Sequence, residues 1–360
     1  MKPTISLVMI VKNEEAVLKR CLDSAVENVD EIVIVDTGST DRTKLIAADY
    51  KAKIFDYQWN HNFADARNFA LEQSTTDWCM VLDADEFIIN DCKDIINAFI
   101  ADGPQIGRVK HTSKFTSKDG LNYEHCYISR IFPSYCRYVG NVHEQIQSDL
   151  PRVKLNVEIM HDGYMETQKH DRNIPLLQKA IEEHPDISYY YYQIAKEYRG
   201  LGDAEKEFNN LKKAYKLMDH KETISTSIIV NYMYSIISSG NLKEGLAVFN
   251  HEEKFMGHSS DFYFVSALFF LELMISDPRK YQSVLPNIEQ LYKKALEIGD
   301  TGEEGNVRGT GSFAAHHNLG VLYESTGNIQ RAIEHYKAAV VYNYEPSLTR
   351  LHEIVTQSCL

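Results

Sequence analysis

The sequence predicts an α/β domain followed by an all-α domain, and three observations carry that expectation. Short apolar, β-branched runs alternate with helical patterns from residue 5 to residue 82. Longer runs with apolar–polar alternation follow up to residue 160, and from residue 173 only helical patterns remain, punctuated by Gly-Asp or Gly-Asn pairs. A strand–helix alternation implies parallel strands joined by right-handed crossovers, so the first part should form a Rossmann-like, mostly parallel sheet with helices on its faces.

Residues 5–11 read as a buried strand and 14–26 as a helix with Val17, Leu18, Cys21, Leu22 and Ala25 on one face. Strands at 31–35, 53–57 and 78–82 then alternate with helices at 43–50 and 63–73. A helix at 91–101 leads into longer strands at 109–115, 123–132, 137–147 and 153–160, expected as an antiparallel extension over one edge of a site. The polar stretch 164–172 marks the boundary, giving domains 1–168 and 169–360.

In the helical part the turns are Gly202-Asp203, Gly240-Asn241 and Gly327-Asn328. The last unit runs from Ala315-His316-His317-Asn318-Leu319-Gly320 through Gly327-Asn328 to Tyr336-Lys337-Ala338-Ala339. Its small–large alternation resembles the tetratricopeptide repeat, two antiparallel helices in about 34 residues. A looser unit spans 192–215, and turn spacings of 38 and then 87 residues make the array irregular or interrupted. The glycine-rich segment 299–311 reads as a mobile loop or an insertion.

Composition excludes several classes. The 360 residues carry a net charge of −13. Residues 1–170 hold 19 basic and 26 acidic groups and the remainder 19 and 25, so neither half has the basic balance of a nucleic-acid module. The first apolar run is too short for a secretory signal and lacks a cleavage pattern. The greasiest stretch, 262–275, is too short to span a membrane and carries Glu272, which makes it a core helix. Six cysteines without paired spacing read as reduced, mostly buried thiols, as expected of a cytoplasmic protein.

Chemistry concentrates at the ends of the predicted strands, where ligands of open α/β sheets bind. The run Trp78-Cys79-Met80-Val81-Leu82 ends in Asp83-Ala84-Asp85, followed by Glu86. Two carboxylates there suit a divalent cation and its phosphates, although a bare Asp-X-Asp is also an ordinary acidic turn. The second strand ends in Asp36-Thr37-Gly38-Ser39-Thr40-Asp41. Ser39, Thr40 and Asp41 can cap the next helix, whereas Asp36 at the strand tip can accept from a nucleobase imide or a ribose hydroxyl. Glu14 and Glu15 follow Asn13 at the tip of the first strand and would favour a helix N-terminus. Arg67, one turn into the third helix, offers a guanidinium fork to phosphate or base.

Taken in order, strand–Asn-Glu, strand–Asp-Thr-Gly-Ser-Thr-Asp, helix–Asp-Ala-Arg-Asn and strand–Asp-Ala-Asp-Glu resemble the family 2 glycosyltransferases of the GT-A fold, over residues 4–170. The resemblance implies a UDP-sugar donor (UDP-glucose or a UDP-N-acetylhexosamine) and Mn²⁺ or Mg²⁺. By it, Asp36 holds the uracil, Asp85 binds the metal bridging the diphosphate, and Asp83 lies near the ribose as a catalytic carboxylate. Val11, Asn13, Glu14, Ser39, Arg67 and Ala84 frame the nucleotide sugar, and Lys169 and Arg172 cover the diphosphate or are solvated linker charges.

Arg130-Ile131-Phe132 and Val139-Gly140-Asn141-Val142-His143-Glu144 resemble the family's acceptor-side strand. Glu144 is the expected general base if burial raises its pKa, the alternative being a salt-bridged strand glutamate. His161, in Met160-His161-Asp162-Gly163-Tyr164, resembles the histidine that closes the metal site. With the attached repeats, the chain is similar to the repeat-bearing transferases that include the sublancin-type peptide S-glycosyltransferases. That similarity implies inverting transfer to Cys or Ser of a peptide, in the manner of glycocin (bacteriocin) biosynthesis, with the repeats binding acceptor or forming a homodimer. The alternatives are a cell-surface glycan or lipid acceptor, a nucleotidyltransferase, and a non-catalytic repeat scaffold with a degenerate transferase domain.

Overall fold

The computed structural model describes residues 2–117, 120–142, 144–161, 168–222, 224–300 and 307–358, with side chains except at 113–117, 120–125, 168–169, 355 and 357–358. The chain divides into two compact units, one built by residues up to 116 and 121–183, the other mainly by 184–360.

In the first unit β1 (Ile5–Val11), β2 (Glu31–Asp36), β3 (Lys53–Asp56) and β4 (Trp78–Val81) form at the apolar runs, and α1 (Leu18–Ala25), α2 (Thr43–Asp49) and α3 (Phe63–Glu72) make the crossovers. β1 pairs in parallel with β2 and β4, and β2 with β3. Alternation along β1 creates two core layers. Ile5, Leu7, Met9 and Val11 pack with Leu18, Cys21 and Leu22 of α1 on one side, while Val8 packs with Ala64, Ala70 and Leu71 of α3 on the other. A one-residue slip of β1 would exchange these faces, so burial fixes the register that positions the strand tips.

β5 (Glu86–Ile88), α4 (Lys93–Ala101), β6 (Ile106–Ser117), β7 (Gly120–Pro133), β8 (Arg137–Val139), β9 (Gln145–Gln147) and β10 (Arg152–His161) complete this unit's strands among the described residues. The main sheet has the order β3-β2-β1-β4-β7-β6-β10-β5. This corrects the expected antiparallel extension: β7 is antiparallel to β4 and β5 to β10, but β10 runs parallel to β6, and all join one mixed, mostly parallel sheet. The strand expected at 137–147 is instead a small hairpin of β8 and β9, interrupted around Gly140, whose φ of +98° suits glycine.

β5 was not anticipated, because three residues are too few to show a period. It lies four strand spacings from β4 in the order, about 19 Å in a flat sheet. The five-residue step from Val81 to Glu86 reaches at most about 18 Å. The sheet therefore curls, and Ile88 at its far edge donates its amide to Ser24 Oγ of α1 (3.0 Å). Four cysteines in this unit are buried and Cys126 is half-buried, all as free thiols.

α5 (Gln168–Glu183) groups with the first unit, so the compact units divide at 183/184 whereas the polar stretch suggested 168/169. From residue 184 on, the elements of the described residues are all helices. α6 (Ser188–Gly200) and α7 (Ala204–Leu217) pair, as do α8 (Ser225–Ser238) and α9 (Leu242–Glu252), and α13 (Phe313–Ser325) and α14 (Ile329–Val340), with α15 (Glu345–Ser358) against α14. Gly202, Gly240 and Gly327 stand in their turns at φ of 73°, 72° and 81°. The long gap between the last two turns is filled rather than interrupted. α10 (Ser260–Ser276) pairs with α12 (Leu285–Ile298) through α11 (Pro278–Tyr281), so this hairpin lacks the glycine signal. Residues 262–275 lie within α10, with Phe262, Val265, Ala267 and Phe269 fully buried. Among the described residues no helix is long and apolar enough to cross a membrane. The described flanks of the glycine-rich segment close around Asp300, whose carboxylate accepts from the amides of Gly309 and Gly311 and from Ser312 Oγ (2.6 Å).

Candidate active site

Parallel register brings Val11, Asp36 and Asp56 side by side at one edge of the sheet, and the loops beyond β1 and β2 are stitched together there. Asn13 has a φ of +56°, which asparagine tolerates better than most residues. Its amide donates to Ser39 Oγ (2.8 Å) and its Oδ1 accepts from the Thr40 amide (2.8 Å). The Glu14 amide donates to Thr43 Oγ1 (2.7 Å), the Glu15 amide to Asp41 Oδ2 (3.1 Å), and Glu15 Oε2 accepts from the Arg42 amide (3.0 Å). Thr37 donates both its amide and its hydroxyl to the Val11 carbonyl. Asn13 and Ser39 thus knit the two loops to each other, and Ser39 makes no cap to α2. Asp41 does bond the helix start, accepting from the Thr43 amide (3.0 Å).

Asp36 is 1% exposed. Its Oδ2 accepts from the amides of Gly38 (3.1 Å) and Ser39 (3.0 Å), with Lys44 Nζ at 3.6 Å. The φ of +108° at Gly38 lets the chain fold back onto that carboxylate. Its Oδ1 is buried and has no hydrogen-bond partner among the described residues. Leaving an acceptor so costs about 1–3 kcal/mol, a cost that an incoming N–H or O–H would relieve.

The turn after β4 carries a second, charged assembly. Asp83 lies between two guanidinium groups, with Oδ1 at 2.7 Å from Arg67 Nη2 and Oδ2 at 2.9 Å from Arg130 Nη2. Arg67 also donates through Nε to Glu144, and its guanidinium lies 5.6 Å from the centre of the Tyr138 ring. Arg130 also donates to Glu86, which accepts in addition from the Asp83 amide (2.9 Å) and lies 3.0 Å from His111 Nε2. Glu86 is 3% exposed, whereas the Asp83 side chain is 38% exposed and faces the opening. Burial acts to raise the Asp83 pKa, but Arg67 and Arg130 outweigh it and hold the carboxyl well below the usual range. Next to it, Asp85 Oδ2 lies 3.0 Å from His161 Nε2, and the His161 ring lies 5.5 Å from that of His111.

These positions bear on each expected role. Ala84 is buried in the turn, Arg67 joins Asp83 and Glu144, and Asp85 pairs with His161. The Arg67 fork, however, is taken up by two carboxylates, and its Nη1 is buried without a partner. Glu144 is ion-paired to it through Nε, so one of its carboxylate oxygens is already engaged. Arg172 sits on the Phe63 ring at 5.0 Å and donates to Asn173 Oδ1 (3.1 Å). The side chain of Lys169, together with His143 and residues 162–164, lies outside the described residues.

Glu86 and His111 were missed as parts of the assembly. The acidic residue after Asp-Ala-Asp was visible as a motif position, but His111 is a lone histidine in a strand with nothing to mark it. Asn68 was quoted for its motif and not for its work: its amide clamps β8 through the Tyr138 carbonyl (2.9 Å) and amide (2.8 Å).

The curled, mostly parallel sheet carries a carboxylate with one unsatisfied oxygen at one strand tip and a carboxylate–imidazole pair at another, at the carboxyl ends of strands where open α/β sheets bind ligands. Residues 6–151 match the profile described as Glycosyl transferase family 2. The first unit therefore carries a family 2 glycosyltransferase domain, and tetratricopeptide-like repeats follow it. A TPR repeat-containing protein of Synechococcus elongatus is 48% identical over 85 residues, 24% of this chain and 21% of that protein. The glycosyltransferase SunS of Bacillus subtilis is 25% identical over 260 residues, 63% of this chain and 58% of SunS. The lipopolysaccharide core biosynthesis glycosyltransferase LpsC of Rhizobium meliloti is 36% identical over 109 residues, 29% of this chain and 40% of LpsC. The chain thus spans less than two thirds of the length of each of these relatives.

Proposed function

We propose that this protein is a metal-dependent, inverting glycosyltransferase that moves a sugar from a UDP-sugar to a peptide acceptor, with cysteine thiol as the favoured nucleophile. The observation that carries the donor half is the buried Oδ1 of Asp36, unpartnered among the described residues, at the tip of β2, one strand across β1 from the β4 end that leads into Asp83–Asp85. Uracil presents one imide N–H, which is the donor that oxygen lacks. Asn13 and Ser39 hold the loops that frame the base, and Asp83, fixed by two guanidinium groups, is suited to receive the ribose hydroxyls.

The residues present fit a divalent cation. A hexacoordinate metal with ligands at about 2.1 Å places neighbouring ligand atoms about 3.0 Å apart, and Asp85 Oδ2 and His161 Nε2 stand at 3.0 Å. Asp85 and His161 would hold Mn²⁺ or Mg²⁺, which supplies charge stabilisation to the leaving diphosphate. The imidazole in the pair favours Mn²⁺ over the harder Mg²⁺, which prefers oxygen ligands.

The acceptor half follows from the state of the carboxylates. In the proposed reaction a bond forms from the acceptor atom to the anomeric carbon as the bond to the diphosphate oxygen breaks, and the acceptor proton leaves to a carboxylate or to solvent. Asp83, Glu86 and Glu144 are each paired with a guanidinium, so each already has a carboxylate oxygen engaged in an ion pair. A thiol of pKa about 8.5 already supplies some thiolate at neutral pH and asks little of Glu144. A hydroxyl would ask much more. The helical unit is proposed to hold the peptide, because helical repeats recurrently offer extended binding surfaces.

The test is release of UDP from UDP-glucose and UDP-N-acetylglucosamine with Mn²⁺, for the wild type and Asp85→Ala. Turnover that needs the metal and falls at least a hundredfold in the variant supports the reading. No turnover and no UDP binding overturns it, and full activity in Asp85→Ala overturns the metal assignment.

A further inference from the structure

The second unit holds a side-chain cluster with no part in sugar transfer. Glu252, at the end of α9, is 0% exposed, yet it is a carboxylate. Burying such a group is costly unless it is hydrogen-bonded and its charge is compensated. Its Oε1 accepts from Tyr215 Oη of α7 (2.7 Å), and its Oε2 lies 2.8 Å from Nε2 of His220 in the turn between α7 and α8. His251, next to Glu252 on α9, brings its own Nε2 to 3.8 Å from Oε1. The Phe255 ring lies 4.2 Å from that of His220 and fixes its plane.

We infer that His220, His251 and Glu252 form a binding site for a divalent transition-metal ion of the Zn²⁺ type. One ligand atom from each lies within 4.8 Å of the others. Ligands on a tetrahedral Zn²⁺, at 2.0–2.1 Å from the metal, stand about 3.3 Å apart. His220 lies 2.8 Å from Oε2 of Glu252 and His251 3.8 Å from Oε1, and with one ligand atom from each residue every pair lies within 4.8 Å, so side-chain shifts of up to about 1.5 Å close the set to that spacing. Two imidazoles and one carboxylate favour Zn²⁺, Co²⁺ or Ni²⁺ over Mg²⁺, which prefers oxygen ligands. The set also has the elements that support a metal site around its ligands: a tyrosine hydroxyl orienting the carboxylate and an aromatic ring orienting one imidazole. His251 is 56% exposed, so the fourth position opens to water or to a side chain of a bound partner. The site ties the α7–α8 turn to the end of α9, so the bound metal locks two successive helical hairpins together.

The experiment uses the full, tag-free chain carrying Asp85→Ala and His161→Ala, which removes the metal ligands proposed for the first unit. Titration of Zn²⁺ against a chromophoric chelator should give one tight equivalent, Co²⁺ should give the visible absorption of a tetrahedral ion, and Mg²⁺ should not compete. His251→Ala, at an exposed position that leaves the fold intact, should weaken Zn²⁺ at least tenfold, and Tyr215→Phe about tenfold or more. Zn²⁺ should raise the melting temperature of the parent and not of His251→Ala. No tight equivalent in the parent overturns the site, as does Zn²⁺ binding in His251→Ala or in His220→Ala that is as strong as in the parent, which would mark scattered surface histidines as the ligands.

Discussion

Replacing Arg130 with methionine tests whether the charge assembly around Asp83 is held as a unit. The substitution keeps the length of the aliphatic stem but removes a guanidinium that is itself 11% exposed. Glu86, at 3% exposure, keeps only His111 and the Asp83 amide, and Asp83 keeps only Arg67. Removing one partner of a buried pair costs about 3–5 kcal/mol. His111 remains beside Glu86 and Asp83 is partly open to water, so the lower end, about 3 kcal/mol, is expected.

The pH dependence has a definite sign. Asp83 has a depressed folded-state pKa, so its contribution is present above the unfolded carboxyl value of about 4 and is lost as pH falls towards the folded value. Arg130→Met relieves part of that depression, so the difference between variant and wild type should be full at pH 7 and shrink below about pH 4. The assay is urea unfolding followed by tryptophan fluorescence. Both tryptophans, Trp59 and Trp78, lie in the first unit, and Trp78 is buried edge-on to Phe99 at 5.4 Å. A variant within about 0.5 kcal/mol of wild type at pH 7, the range of an ordinary surface change, would refute the argument. So would a difference that persists unchanged in acid.

Other perturbations read other parts of the account. Asp36→Ala should raise the KM for the UDP-sugar about tenfold to a hundredfold, the worth of one hydrogen bond to a charged group; steady-state kinetics with an unchanged KM would refute its role. Glu144→Gln should cost a hydroxyl acceptor a hundredfold or more in kcat if Glu144 is the base and a thiol acceptor less than tenfold; equal losses would contradict the thiol preference. Gly320→Ala would put a methyl 2.4 Å from the Tyr336 ring, which is 0% exposed. Overpacking there should destabilise the second unit by about 1–2 kcal/mol despite the better helix propensity of alanine, and an unchanged thermal midpoint would show that the ring can move.

β1, β2 and β4 were legible because each is a buried run apolar on both faces, and the half-buried β3 because it falls between two helical patterns. The order of the later strands was not, because the pairing of β10 beside β6 is a long-range choice that no local pattern encodes. β5 is too short to show a period, and the hairpin at 137–147 hides behind continuous alternation until Gly140 breaks it. Asp36, Asp83, Asp85 and His161 stood out in the sequence because they fall at or just after strand ends, and Arg67 because it lies one turn into α3. What Arg67 and Glu144 touch was not readable. That they meet each other depends on α3 and the segment after β8 arriving side by side, a contact across 77 residues. The missing turn between Gly240 and Gly327 concealed a complete hairpin, since α11 begins with Pro278 and needs no glycine.

Calorimetric titration of UDP into the wild type and Asp36→Ala, with and without Mn²⁺ and with GDP as the control, tests the donor site most directly. The expected result is UDP binding that Mn²⁺ strengthens, that Asp36→Ala weakens at least tenfold, and that GDP does not match. Absence of UDP binding in the presence of Mn²⁺, or equal binding of UDP and GDP, would contradict the assignment of this cleft to a uridine-diphosphate sugar.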